Sequence, residues 1–242
     1  MIKDMKQNIV EITKGNTGTG LLIENDGYIS LDMPQNKHLC ESLKLNESEG
    51  ERNLPSKLIF NAIFQKFDTP NANGRVYPEH ILKREVEKFQ QAIKERRAYG
   101  ELNHPQDSSI DLGRIAFNII ELHWEGKTLI GKIEIPLTEG YRKYGVVSTC
   151  ADTLGHWIIS GLKVGVSSRG LGSVEQVGGS LQVGNDFELV TWDAVSQPST
   201  PLAWICTNDA EVNLYKENIN TNKEKTIFNE NKYSKFENWL KD

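Results

Sequence analysis

A serine, a histidine and an acid stand far apart in this chain, each in a setting that suits acyl transfer. Val164-Gly165-Val166-Ser167-Ser168-Arg169-Gly170-Leu171-Gly172 places two serines at the end of an apolar run, followed by an arginine and closely spaced glycines. A serine hydroxyl attacks a carbonyl when a base takes its proton, and glycines let backbone N–H groups turn toward the oxyanion that forms. The same residues also suit a strand-to-hairpin bend with polar turn residues. They do not make a GxSxG elbow, since Arg169 follows Ser167 by two and Val166 precedes Ser168 by two. A base is offered by Tyr99-Gly100-Glu101-Leu102-Asn103-His104-Pro105, a polar loop in which an accessible imidazole can take and return a proton. On position alone, His104 better suits an interaction with the carbonyls at a helix end. In Asp186-Phe187-Glu188-Leu189-Val190-Thr191-Trp192-Asp193-Ala194-Val195, Asp193 can orient an imidazole or face water at a strand end. All five histidines (His38, His80, His104, His123 and His156) precede Ser167, so a third member from the later strands is an acid.

Other chemistries find no motif. The chain has no GxxxxGK[ST], no GxGxxG between a strand and a helix, no HExxH and no histidine pair at metal-ligand spacing. No metal and no organic cofactor is expected. Lys83-Arg84 and Lys94-Glu95-Arg96-Arg97 lie on a helix mixed with glutamates and read as a solvated face. Over 242 residues, 28 basic against 33 acidic side chains leave a formal charge of −5, which gives no general drive toward nucleic acid or an anionic membrane. The apolar runs are too short for a membrane-spanning helix, and no secretory signal opens the chain. Three distant cysteines, Cys40, Cys150 and Cys206, read as thiols in a reducing compartment.

Periodic patterning is confined to the middle, from about 57 to 206. Lys57 to Phe64 reads as a buried strand, and Thr69-Pro70-Asn71-Ala72-Asn73-Gly74 as a turn or loop. Pro78 suits a first helical position, and Ile81, Leu82, Val86, Phe89 and Ile93 recur at helical spacing over Glu79 to Arg97. Gly113 to Trp124 and Thr128 to Ile135 flank Glu125-Gly126-Lys127 as a hairpin. A second helix is expected over Tyr144 to Leu162. Short strands follow at Val164–Val166, Gly172–Val177, Ser180–Val183 and Phe187–Val195. The pattern predicts a mixed α+β domain built on an antiparallel sheet or barrel, without parallel βαβ repetition. Residues 1–54 and 208–242 are rich in Asn, Lys and Glu and read as extensions of poor core-forming capacity, with some order near Gly20 to Ile29 and a short amphipathic helix at Tyr233 to Leu240.

Taken in order, Asn73-Gly74-Arg75-Val76-Tyr77-Pro78, Gly100-Glu101-Leu102-Asn103-His104-Pro105, Gly165-Val166-Ser167-Ser168-Arg169-Gly170-Leu171-Gly172, Asp193-Ala194-Val195 and Pro198-Ser199 resemble the prohead core protein proteases of T4-like tailed phages. The resemblance covers about residues 57 to 206. It implies a cofactor-free serine endopeptidase that matures the phage head, with an antiparallel β-barrel-like core and surrounding helices like the herpesvirus assemblin proteases. It places the nucleophile at Ser167, the base at His104 and, as a candidate third member, Asp193. Arg169 and the N–H groups of Ser168, Arg169 and Gly170 are the implied oxyanion donors.

On the same resemblance, residues 55–207 are the protease domain, 1–54 an N-terminal extension and possible pro-segment, and 208–242 a C-terminal extension. The substrates implied are scaffold and capsid proteins and the chain itself, inside the assembling prohead in the host cytoplasm. Nucleic acid and membrane are not expected as partners, and a homo-oligomer is compatible with the reading. Cleavage is implied after Glu in Leu/Ile-x-Glu, which Ile9-Val10-Glu11, Leu22-Ile23-Glu24, Leu39-Cys40-Glu41 and Leu45-Asn46-Glu47 fit within the N-terminal extension. Leu137-Thr138-Glu139 fits too, but lies inside the expected domain. The alternative is a head-assembly or scaffold component that keeps the fold without the activity, against which His104 and Ser167 weigh.

Overall fold

The strands are set by apolar alternation and by turns that fit between them, and they gather into two sheets. The computed structural model describes residues 11–12, 15–24 and 54–206. The expected C-terminal helix, Cys40, and the Leu/Ile-x-Glu sites ending at Glu41 and Glu47 lie outside those residues. The elements in chain order are β1 (Gly18–Ile23), β2 (Lys57–Lys66), β3 (Arg75–Val76), α1 (Glu79–Lys94), β4 (Tyr99–Glu101), β5 (Ile115–Glu125), β6 (Thr128–Pro136), α2 (Glu139–Tyr144), α3 (Cys150–Ile159), β7 (Gly165–Val177), β8 (Ser180–Val183), β9 (Glu188–Val195) and β10 (Ile205–Cys206).

One sheet runs β10-β2-β6-β5-β4, antiparallel throughout, with the β5–β6 hairpin turning where expected at Gly126, whose φ is +57°. The other sheet is organised around β7. On one edge β7 carries β1, and along the other β9 and then β8, while β3 pairs parallel with β8. The sheets meet through single bridges, Leu102 with Ala194 and Gly165 with Trp204, not through continuous ladders. The expectation of a barrel-like core is corrected accordingly: the described residues form a mixed α+β fold of two five-stranded sheets, with no closed barrel among them.

Between the sheets, Phe64, Phe117, Ile133, Val166 and Trp192 belong to the main apolar cluster. The Trp192 ring meets Phe64 and Phe89 edge-on at centroid distances of 5.5 and 5.2 Å, and its Nε1 donates to Gln65 Oε1 at 3.2 Å. α1 buries Ile81, Leu82, Val86, Phe89 and Ala92 at the spacing of one helical face. It stops at Lys94, short of the expected Arg97. Arg96 turns left-handed there (φ +56°), and the Arg96 and Arg97 N–H groups bond back to Ile93 O and Ala92 O, a Schellman closure. The second expected helix is two. Gly145, at φ +72°, ends α2, and Thr149 and Asp152 form a capping box that starts α3.

The largest revision concerns the serine segment. Strands expected to break around Ser167–Leu171 form one continuous strand, β7, of 13 residues. Gly170 and Gly172 are not turn residues. A Cβ on Gly170 would lie 2.4 Å from the Phe187 ring, and one on Gly172 would lie 2.9 Å from Phe187 Cα. The glycines admit Phe187 against the strand, so the serines sit in mid-strand on a rigid support. The N-terminal segment is also better packed than its composition predicts, for Leu21, Leu22 and Ile23 are all buried.

Candidate active site

Cross-strand register brings two of the candidate residues together. Ser167 of β7 lies directly opposite Asp193 of β9, so both side chains project on the same face. Histidine arrives from the other sheet. Beyond β4, Leu102 bridges Ala194, and the Asn103 N–H bonds to Ala194 O at 2.8 Å while Asn103 adopts φ +65°. That lashing delivers His104 to Asp193, with Nδ1 to Oδ2 at 2.7 Å. A carboxylate only accepts, so Nδ1 carries the proton and Nε2 is left as an acceptor. His104 Nε2 is buried and has no hydrogen-bond partner among the described residues. The accessible imidazole expected from the loop is thus a covered one, folded onto an acid.

Asp193 is fixed from behind. The Glu101 N–H donates to its Oδ1 at 3.0 Å, and Arg169 Nε donates to Oδ2 at 2.9 Å. The rest of the Arg169 guanidinium reaches Glu101 Oε2 at 2.6 Å, Asp107 O at 2.6 Å and Ser109 O at 3.1 Å. Burial pushes the Glu101 carboxyl up, against the Asp111 N–H and Arg169, and Asp193 adds to the rise. These contacts correct the expectation that the Arg169 side chain serves an oxyanion: its donors are engaged on Asp193, Glu101 and two carbonyls. The expected backbone donors also sit in a ladder, not an open turn. Arg169 and Gly170 have β9 on one edge and β1 on the other, and Ser168 pairs with Trp192.

In front of Ser167 stands Glu24. The Ser167 hydroxyl donates a hydrogen bond to the Glu24 carbonyl oxygen. The Glu24 carboxylate is 1% exposed and is surrounded by donors. Asn71 Nδ2 and Asn73 Nδ2 reach Oε2 at 2.6 Å each, Arg75 Nη1 reaches Oε1 at 3.0 Å, and the Tyr77 hydroxyl reaches Oε1 at 2.5 Å. Arg75 also donates to the Ile23 and Ile12 carbonyls. Burial opposes the Arg75 charge, but Glu24, with Tyr77 and Glu11 adding to it, raises the guanidinium on balance. Burial also pushes the Tyr77 phenol well up, with Glu24 adding to the rise and the Ser168 hydroxyl opposing it.

A serine hydroxyl thus lies on a backbone carbonyl, and the acid opposite it across the strands holds a histidine. The family described as prohead core protein serine protease matches residues 21–214. The chain belongs to this family. The prohead core protein protease of Enterobacteria phage T4 is 33% identical over 190 residues, covering 76% of this chain and 82% of the relative. The solved bacteriophage T4 capsid assembly protease superposes with a TM-score of 0.54 at 30% identity, covering 73% of this chain and 98% of that one. As a member of the prohead core protease family, the chain is a peptidase of mixed α+β fold. Among the described residues, no helix is long and apolar enough to cross a membrane, and no group of three or more His, Cys, Asp or Glu residues is arranged to hold a metal.

Two features of this site escape a reading by motif. Glu101, three residues before His104, has no assigned role there, yet it supplies both a backbone donor to Asp193 and a carboxylate to Arg169. Asn71 and Asn73 lie in the expected turn, closed by the Gly74 N–H on Asn71 O, and Arg75 and Tyr77 follow it in and just after β3. No local spacing marks these four side chains as donors to one carboxylate; the turn and Glu24 bring them together.

Proposed function

We propose that this chain is a serine endopeptidase of phage head maturation, cutting scaffold and capsid proteins inside the assembling prohead and cutting itself. Ser167 is the nucleophile, His104 the general base and Asp193 the residue that holds the base. His104 Nε2 takes the Ser167 proton as Oγ attacks a peptide carbonyl, and returns it to the leaving amine. Asp193 keeps the proton on Nδ1 and stabilises the imidazolium that forms. Arg169 and Glu101 act as positioning residues for Asp193. Water then hydrolyses the acyl-enzyme. The observation that carries the reading is the Ser167 hydroxyl lying on the backbone carbonyl of a buried glutamate. Cleavage after Glu in a Leu/Ile-x-Glu context is part of the proposal. Intact mass spectrometry of a scaffold substrate incubated with the wild-type chain or with Ser167→Ala tests it. Discrete fragments ending in Glu, from wild type alone, are expected. Equal fragmentation by both rejects the assignment.

A further inference from the structure

Glu24 is hard to explain as a structural residue. Burying a carboxylate is unfavourable unless nearly every oxygen lone pair is met, and a buried ion pair adds little net stability over an apolar replacement. Here four side chains from one short segment converge on it, all of them donors. The residue so held is the one whose carbonyl lies on the Ser167 hydroxyl. The strand that leads to it, β1, is laid antiparallel on β7 from Gly18 opposite Val174 to Ile23 opposite Arg169. Adding a strand to a sheet edge is how proteins commonly grip an extended peptide. Leu22, two residues before Glu24 and so on the same face, is fully buried in the apolar cluster of Tyr77, Ile81, Leu82 and Phe187. Tyr77 therefore belongs both to the apolar cluster that takes Leu22 and to the donor row on Glu24.

We propose that Asn71, Asn73, Arg75 and Tyr77 are the specificity pocket for an acidic side chain just before the cut bond, and that Gly18–Glu24 is its built-in occupant, which the protein cuts after Glu24 and which restrains the cleft until it leaves. The proposal rests on the protease reading above. In the cut, Ser167 Oγ bonds to the Glu24 carbonyl carbon as its proton passes to His104 Nε2. The bond to the Asn25 nitrogen breaks and that nitrogen takes the proton. Water then releases Glu24 as a new C-terminal carboxylate and restores the Ser167 hydroxyl. A donor-only pocket reads charge as well as shape. Glutamine would turn an NH2 group toward donors and leave them unpaired, and aspartate falls one methylene short. As part of the same chain, β1 competes with any outside peptide at a high effective concentration.

The test uses the full chain. Wild type should release a fragment ending at Glu24, seen by intact mass. Glu24→Gln should lose that fragment while cutting a separate Leu-Ile-Glu-containing peptide faster, on the order of tenfold, because the occupant is loosened. A Gln peptide should be cut at least about 100-fold less well than the Glu peptide. Tyr77→Phe, which keeps the ring and its packing, should lower kcat/KM for the Glu peptide about 10- to 100-fold and change the Gln peptide little. A second readout needs no turnover. In the Ser167→Ala chain, a fluorescent peptide ending in Leu-Ile-Glu should bind about tenfold or more tightly once Glu24→Gln is added, and Tyr77→Phe should weaken it again. Unchanged peptide binding and an unchanged Glu24 fragment would overturn the pocket and its occupant while leaving the protease reading intact. Shifted binding with no cleavage of any peptide would overturn the protease reading and leave the pocket standing.

Discussion

Two buried arginines flank Ser167, and they are used differently. Arg169 sits behind the nucleophile among two acids and two carbonyls, all drawn from residues 101–193. Arg75 sits in front, with one acid, Glu24, and its Nε is buried without a hydrogen-bond partner among the described residues. The first cluster sets one guanidinium against two acids, and burial pushes the Glu101 carboxyl up while Arg169 opposes the rise. The second has more donors than its single carboxylate needs. One arrangement holds a geometry that does not change through a reaction. The other suits an acidic group that comes and goes. The difference lies in who supplies the partner: the folded middle of the chain in one case, a strand from the N-terminal segment in the other.

The comparison can be broken or sharpened by substitution. Both regions meet at Ser167, so Ser167→Ala should reduce peptide cleavage by roughly 10⁴ to 10⁶ while leaving both clusters in place. Ser168→Ala, which touches only the Tyr77 side, should lose far less. Initial-rate assays separate the two, and equal losses would assign the wrong serine. Next in size, Asp193→Asn should lower kcat by about 10⁴, because an amide no longer enforces the Nδ1–H tautomer of His104. The loss should fall on kcat with KM little changed, a split that a purely structural role would not produce.

Stability should show the same asymmetry. Arg169→Met strands Glu101 and Asp193 together in the interior and should cost about 3 to 5 kcal/mol in denaturant unfolding. Arg75→Met should cost clearly less, since β1 can leave the sheet and return Glu24 to water. Equal losses would mean that β1 is as permanent as the rest of the fold. The smallest effect concerns pH. Glu101 is raised by burial, so its contribution to stability is full below the ordinary glutamate range and is lost as pH rises through its folded value. Unfolding midpoints measured from about pH 4 upward should therefore fall less in Glu101→Gln than in wild type.

What was legible in the sequence follows from range. α1 and the β5–β6 hairpin are written in local spacing and a single turn, and they form nearly where expected. β7 was hidden because Gly170 and Gly172 look like turn residues; only Phe187, 15 or more positions away, shows why they are glycines. The short strands β3, β4 and β10 carry too few residues for a periodic signal and exist because longer strands offer them edges. Ser167, His104 and Asp193 stand out by residue type and by family likeness. That Asp193 is the residue holding His104 depends on the register of β7 with β9 and on the Leu102–Ala194 bridge, neither of which is local. The turn that carries Asn71 and Asn73 was legible in its Pro and Gly, but that it gathers donors on Glu24 depends on a residue 47 or more positions away.

The antiparallel lie of β1 also gives the cleft a direction. An extended chain that takes its place must enter with its amino side toward Val174 and its carboxyl side toward Ser167, because β9 already fills the opposite edge of β7 there. In the proposed cut, the ladder and the donors on the glutamate all lie upstream of the bond to be severed. A retro-peptide carrying the same residues in reverse would present its glutamate at the wrong end of the ladder, and libraries randomised after the glutamate should all be read alike.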